Sequence, residues 1–503
     1  MRALDLAIIA IFLVGTPLLG IALSGKQRSS TDYFVGGRQV PWWAVTFSVV
    51  ATETSTLTVI SVPTVAYLGD VTYLQLAIGY LIGRVIVAFV LLPRYYAGEM
   101  VSAYGFLGKR FGNGMQGTAS VTFLITRLLA DGVRLFATAI PVKMVLAALG
   151  IDVSYWVIIA AIAVVAVLYT YLGGIRAVIW VDVVQMSIYV LGAVAAVFIL
   201  AGKLPDGWFS SLADEGKFQL FDFSSNIITS QYAFLTAVVG GALFAMASHG
   251  ADQLMVQRLL ACRTVRDSQK AVIASGVVVF VQFALFLLVG AMLFAFYDGA
   301  DPSALGLASN DELFPKFIVE QLPTGLSGLL IAGIVAAAMS TISSSLNSLS
   351  TSTISDIYRH VAKREPSDAT ILKRAKLWTL IWGVVFVLFA SMFTSTDQPV
   401  VEVGLSIASY TYGALLGAFA LGILVRRARQ ADAIVAFVST VVVAAVFVLG
   451  VEFTVDGEAA SLAFPWYVPL GVLVTLVVGG LLSLRHPTPG SGETEPAREQ
   501  ESV

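Results

Sequence analysis

Ala337-Ala-Met-Ser-Thr-Ile-Ser-Ser-Ser-Leu-Asn347 places a run of hydroxyls inside a stretch otherwise apolar enough to lie in a bilayer. At helical spacing Ser340, Ser343, Ser344 and Asn347 share one face. Rich in oxygen and free of charge, such a buried face offers a hard monovalent cation a substitute for its water shell. The stretch points to a membrane protein that handles an ion.

Composition agrees. The 503 residues are 57% hydrophobic and 12% charged, with a mean hydropathy of +0.86. Soluble domains carry about 25% charged residues, so an all-α polytopic membrane protein is expected. Hydropathy and turn signals give about 13 apolar runs, each long enough for the roughly 20 residues that cross the hydrocarbon. The runs are 4–24, 42–69, 71–96, 114–149, 154–173, 178–201, 230–257, 270–297, 323–355, 376–394, 400–424, 432–450 and 464–484. The longest connections, 202–229 and 298–322, each leave room for a short helix. Residues 1–485 then form one transmembrane domain, and the polar segment 486–503 is expected to be a disordered cytoplasmic tail.

Basic residues orient the runs. Of the 30 Lys and Arg, only Arg2, Lys203, Lys217 and Lys316 fall outside if the N-terminus is outside, and Arg84, Arg127, Arg134 and Lys143 lie within runs. The remainder cluster in inner loops, at inner helix ends or in the tail, as in Lys26/Arg28/Arg38, Arg263/Arg266/Lys270 and Arg426/Arg427/Arg429. The outer loops carry Asp206, Asp214, Glu215, Asp298, Asp301 and Glu452 instead. This asymmetry predicts a cell-membrane protein with an outer N-terminus and a cytoplasmic C-terminus. The first run lacks a small-residue cleavage site and reads as a retained helix. The single cysteine, Cys262, excludes an intramolecular disulfide.

Two runs carry polar interruptions of the kind that mark a transporter's central site. Phe47-Ser-Val-Val-Ala-Thr-Glu-Thr-Ser-Thr-Leu-Thr58 is polar in mid-span and is followed by Pro63. Gly240-Gly-Ala-Leu-Phe-Ala-Met-Ala-Ser-His-Gly250 leads into Ala-Asp-Gln253. The interruptions fall in the second and seventh runs, the spacing of a five-plus-five inverted repeat. A break after Ala51-Thr-Glu-Thr54 would free the carbonyls of Ala51 and Thr54. The carbonyl of Ala337 and the hydroxyls of Ser340 and Thr341 would complete a Na+ site facing that break. The alternative is that these hydroxyls bond back to the preceding turn or permit close packing. So many in one short run, opposite a polar break, favours the cation.

Further motifs fall in a fixed order: Asp32-Tyr-Phe-Val-Gly-Gly-Arg38, Ser48-Val-Val-Ala-Thr-Glu-Thr-Ser55, Tyr171-Leu-Gly-Gly-Ile-Arg176 continuing through Asp182 to Gln185, Asp252-Gln-Leu-Met-Val-Gln-Arg258, and Ala336-Ala-Ala-Met-Ser-Thr-Ile-Ser-Ser344. In this order the chain closely resembles the sodium/solute symporter family over nearly its whole length. The resemblance implies a LeuT-type inverted repeat formed by spans 2–6 and 7–11. Carried over residue by residue, it also implies a Na+ site at Ala51, Thr54, Ala337, Ser340 and Thr341, the five that polarity selects. In some members an Asp matching Asp182 joins the serines in a second Na+ site, here Asp182, Ser340, Ser343 and Ser344. Read from the residues, Asp182 lies in apolar surroundings and must find a cation or a proton. Arg176 is the other partner considered. Glu53 stands where the family's proline symporters carry an Asp; it would bind sodium or shape the unwound turn.

The solute is read from other polar residues. Arg127, Asp131 and Arg134 form one helical stripe. Asp131 balances one arginine, and a guanidinium left over would suit a carboxylate; Arg134 is chosen. A structural network with Arg84 is the competing reading. Ser55, Thr58, Tyr80, Ser248 and His249 complete the expected solute-binding set with Asp131 and Arg134. Sugar carriers of the family place aromatic residues near Ser248–His249 and polar groups where this chain has Leu57 and Ala77, which counts against a neutral sugar. The expected function is Na+-coupled symport of a small organic solute, with amino acids such as proline or an organic acid favoured by Arg134. The alternatives are a sugar or other neutral solute, proton coupling through Asp182 or Glu53, and, from other classes, a sensor or channel. No nucleophile–base pair, His/Cys metal cluster or phosphate loop suggests an enzyme. The expected partners are Na+, the solute and the lipid bilayer, with no nucleic acid; the sequence sets no oligomeric state.

Overall fold

The computed structural model describes residues 3–54, 56–148, 152–307, 310–362, 366–392, 400–455 and 458–487. Among them the chain is a bundle of helices: α1 (Ala3–Ser24), α2 (Trp42–Glu53), α3 (Thr56–Leu68), α4 (Leu74–Val90), α5 (Asn113–Ala148), α6 (Tyr155–Ala201), α7 (Phe234–Met246), α8 (Gln253–Leu259), α9 (Val265–Phe296), α10 (Leu326–Ser352), α11 (Asp368–Ala390), α12 (Val400–Leu424), α13 (Gln430–Gly450) and α14 (Tyr467–Ser483). Helix lies over every predicted apolar run. Among the described residues, seven helices are long and apolar enough to cross a bilayer, or nine when each of two bent pairs counts as one span. The chain is a multi-pass membrane protein. The predicted tail from residue 488 onward lies outside the described residues.

Both polar interruptions are breaks. The axes of α2 and α3 differ by 64°, and those of α7 and α8 by 67°. At the first, Thr54 leaves helical geometry (φ −78°, ψ 89°) while its N–H still closes on the Val50 carbonyl. At the second, a π-turn over Ala247–Ala251 gives way to extended Asp252, whose carboxylate caps α8 by accepting from the N–H of Leu254 at 2.8 Å. The two expected runs 154–173 and 178–201 are one element, α6, kinked at a single residue, Gly174 (φ 55°, ψ −154°). Only glycine adopts that geometry without strain, and a Cβ there would stand 2.7 Å from the Tyr33 carbonyl oxygen.

The long connections 202–229 and 298–322 carry the short helices Trp208–Asp214 and Leu313–Gln321. The first connection is tied to the C-terminal end of α3. The Lys217 ammonium donates to the carbonyls of Tyr67 (2.7 Å) and Gly69 (2.9 Å) and lies 3.7 Å over the Phe294 ring. A cation suits the last carbonyls of a helix. An antiparallel hairpin, β1 (Glu452–Val455) with β2 (Glu458–Ser461), joins α13 to α14 and was not anticipated.

In the interior, α10 packs against α5 and α6 and touches both halves of the first broken helix, while α9 covers α3 and α4. The hydroxyl-bearing face of α10 is thus buried in the interior of the bundle. Replacing Gly174 with Ala is expected to cost about 1–3 kcal/mol through the forced backbone alone, read as a fall in the unfolding midpoint in detergent; an unchanged midpoint would mean that the turn relaxes freely.

Candidate functional site

A helix that stops at Glu53 leaves its last carbonyls without partners along the same helix and directs the negative end of its dipole toward whatever faces them. α2 packs against α6, α9 and the hydroxyl-bearing α10. Ala51, Thr54, Ala337, Ser340 and Thr341 are all buried, none more than 3% exposed. The junction is fixed by Asp182 of α6, which accepts from Ser48 of α2 and from Ser340 of α10, each at 2.5 Å. Thr341 donates to the Ala337 carbonyl at 3.2 Å, and Thr54 accepts from the Gln282 amide at 2.8 Å. A hydroxyl oriented by donation keeps lone pairs for a cation. Hence the arrangement can offer one break's worth of carbonyl oxygen and two oriented alcohols without a full negative charge.

Asp182 does find a cation, but it is not Arg176. The guanidinium of Arg258, itself buried, lies 3.5 Å from Asp182, donates to Ser48 through Nε at 3.0 Å, and bonds Ser344. Arg176 has no part in this contact. Asp182, Ser340, Ser343 and Ser344, the second predicted Na+ set, are brought together with Arg258 among them. Ser343 and Ser344 both donate back to the Ser340 carbonyl, at 3.0 and 2.5 Å. Further along α10, Asn347 and Thr351 meet the Gln257 amide of α8 at 2.5 and 2.8 Å. The hydroxyl face therefore divides: Ser340 meets Asp182 of α6, which also holds Ser48 of the broken helix, and Ser344 and Asn347 meet α8.

The arginine stripe resolves differently from the expectation that Asp131 balances one partner. Asp131 meets both, with Arg127 at 3.5 Å and Arg134 at 3.1 Å, and accepts from Ser345 of α10. Arg127 is further held by Asp252 and the Tyr412 hydroxyl. Arg134 alone of the stripe keeps solvent access, at 22%. Arg84 is not in this network; it pairs with Glu53 and bonds Ser275 at 2.9 Å.

Of the other expected solute residues, Ser55 lies outside the described residues and Thr58 is half-buried in α3. Tyr80 stacks on Phe244 at 5.9 Å, and Phe244 packs on Tyr412 at 5.4 Å. Ser248 shares a 2.8 Å hydrogen bond with Nδ1 of His249, whose Nε2 faces Glu53 at 3.7 Å. The two breaks are therefore joined through Glu53 and His249. Sequence reasoning missed Phe244, Tyr412 and Gln282, and the Glu53–Arg84 pair. Gln282 carried a signal, an amide amid Val-Val-Val-Phe-Val; the others did not.

Two bent helices around buried, charge-balanced polar groups define a membrane carrier. The family model described as the sodium:solute symporter family matches residues 33–439, and the chain belongs to that family. The sodium/sialic acid symporter SiaT of Proteus mirabilis is 30% identical over 95% of this chain and 94% of its own length. The human sodium/iodide cotransporter is 26% identical over 98% of this chain and 78% of its own length. The solved structure of a Na+-coupled sialic acid symporter, substrate-bound and outward-open, matches with a TM-score of 0.85 at 28% identity, covering 97% of this chain and 98% of that one.

Replacing Asp182 with Asn should leave the Arg258 charge buried without its counter-ion and cost about 3–5 kcal/mol. Adding Arg258→Gln should recover much of that loss, measured by thermal unfolding as a double-mutant cycle. Strict additivity of the two changes would dismiss the pair as a unit.

Proposed function

We propose that the chain is a Na+-coupled secondary active symporter that carries a small carboxylate-bearing solute into the cell. In this reading about 13 helices cross the membrane, spans 2–6 and 7–11 form inverted repeats, the N-terminus is outside and the C-terminus cytoplasmic. The observation that carries the reading is the meeting of the terminated helix α2 with α10 through Asp182, which accepts from Ser48 on the one and from Ser340, next to Thr341, on the other. External Na+ would enter there, lose its water to the carbonyls of Ala51, Thr54 and Ala337 and the two hydroxyls, and favour the outward-open state. That occupancy orders the break carrying Ser55 and Thr58, readies the solute pocket, and commits both ligands to inward release. Each charge gains about 2.3 kcal/mol per 100 mV of membrane potential. A site without a full carboxylate lets the ion leave on the cytoplasmic side.

Charge balance supports one ion per cycle. Asp182 is already met by Arg258 and Glu53 by Arg84. The same pairing weakens the proton-coupled alternative, since neither acid stands without a fixed cation. For the solute, the residual exposure of Arg134 supports an anion, with Tyr80 and Phe244 as an apolar wall and His249 at the opposite break. The sialic acid relatives sharpen this reading: sialic acid is a sugar that bears a carboxylate, so the carboxylate and sugar readings meet in one solute class. Sialic acid is the first probe.

Uptake into proteoliposomes should require Na+ and be insensitive to a pH gradient imposed without it. Thr341→Ala removes one ligand oxygen worth about 1.5–3 kcal/mol to a charged group, so half-saturation by Na+ should rise about 10-fold or more while the unfolding midpoint holds. Unaltered Na+ dependence would place the ion elsewhere. Arg134→Gln should raise the KM for the carboxylate solute by a similar factor and leave the Na+-induced thermal shift intact; loss of the Na+ shift instead would assign Arg134 to the structure.

A further inference from the structure

An open-sided groove of about 470 Å³ lies far from the ion site, between the N-terminus of α2, the C-terminal end of α4 and the first turns of α9. Trp42, Phe89, Ile273 and Ala274 give it apolar walls, and Arg266 and Lys270 stand at its rim. Trp42 is 39% and Phe89 63% exposed, so the walls face outward from the bundle. On α9 the basic pair is four residues apart, hence on one face. The same stripe continues through Ile273 to Val277 and Val281, which are 49% and 60% exposed. Along this line the surface changes from two fixed positive charges to continuous hydrocarbon.

Neither Arg266 nor Lys270 has an ionic partner among the described residues. The one acid nearby in sequence, Asp267, is occupied by the Thr264 hydroxyl at 2.8 Å and does not line the groove. Gln269, which does, donates to the Ala88 carbonyl at 2.9 Å and so closes the seam between α9 and α4. The start of a long helix adds partial positive charge at the rim. Tryptophan at the mouth and basic residues beyond it mark the depth at which lipid headgroups sit.

We propose that this groove is a binding site for one anionic phospholipid, its phosphate held by Arg266 and Lys270 and an acyl chain laid over Phe89, Ile273, Val277 and Val281. The order of charge and hydrocarbon along α9 matches that of the lipid, and two unpaired cations select an anionic headgroup over a zwitterionic one. The proposed orientation of the chain is used only to name the leaflet, the cytoplasmic one. Trp42 opens α2, the half-helix whose far end carries Ala51 and Thr54, so an occupied groove would brace the element that forms the ion site.

The test is lipid retention by the intact, delipidated protein in native mass spectrometry. It compares phosphatidylglycerol with phosphatidylcholine of identical chains. Each basic residue near an anionic surface is worth about 1 kcal/mol, roughly fivefold, so wild type should prefer phosphatidylglycerol by about 30-fold. R266Q/K270Q should lose that preference while its phosphatidylcholine binding stays as in wild type. R266K/K270R should keep it, and soluble glycerol phosphate should not displace the lipid. Equal retention of the two lipids by wild type would overturn the site. So would an undiminished preference in R266Q/K270Q, or displacement by glycerol phosphate. None of these readings involves transport, so failure here leaves the symport proposal untouched and the converse also holds.

Discussion

Asp182 holds Ser48 and Ser340 at 2.5 Å each, with Arg258 as its counter-charge, and so clamps three helices and the short α8 at one buried point. A carboxylate sealed in this way is costly unless paired and hydrogen-bonded, and here it is both. The consequence is geometric. With α2 and α10 fixed to the same acid, the end of α2 is held beside α10, where Thr54 accepts from Gln282 of α9. The proposed ion site would thus be a by-product of how a helix ends beside a row of alcohols, under an acid that positions them.

The same economy of charge runs through the centre. Arg84 with Glu53 and Arg127 with Asp252 give buried guanidiniums acids on other elements, and Arg134 meets Asp131 on its own helix. Because the first two pairs link different elements, they also relate the two breaks. Glu53 lies at the first break and faces His249 in the second, and Asp252 caps the helix that follows the second break while holding Arg127 of α5. A solute that engages Arg134 therefore touches a network reaching α8 through Asp252. In the proposed cycle this network would give solute and ion, bound to different helices, a physical route to bias one rearrangement.

Local chemistry in the sequence was enough to locate both breaks. A cluster of polar residues in mid-span has no stable place in a continuous lipid-facing helix, and the bends of 64° and 67° fall where those clusters lie, while Pro63 stays inside α3. The face shared by Ser340, Ser343, Ser344 and Asn347 was legible for the same reason, since helical spacing fixes who shares a face. The need of Asp182 for a cation followed from its surroundings. Which cation did not: Arg258 is 76 residues away, and nothing in local periodicity ranks it above Arg176. Asp131 bridging two arginines was misjudged because a carboxylate has two oxygens and both are used. Arg84 was drawn toward the wrong network, as its true partner, Glu53, sits on another helix 31 residues earlier. The hairpin after α13 escaped because its strands are only four residues each and its charge pattern already explained it as an outer loop.

A map of the purified protein in lipid nanodiscs, recorded in Na+ and again in choline, tests the centre of this reading most directly. In Na+ a density peak should stand enclosed by the carbonyls at the end of α2, the Ala337 carbonyl and the hydroxyls of Ser340 and Thr341, and it should vanish in choline. A sodium-dependent peak elsewhere, with those oxygens unchanged between the two maps, would contradict it.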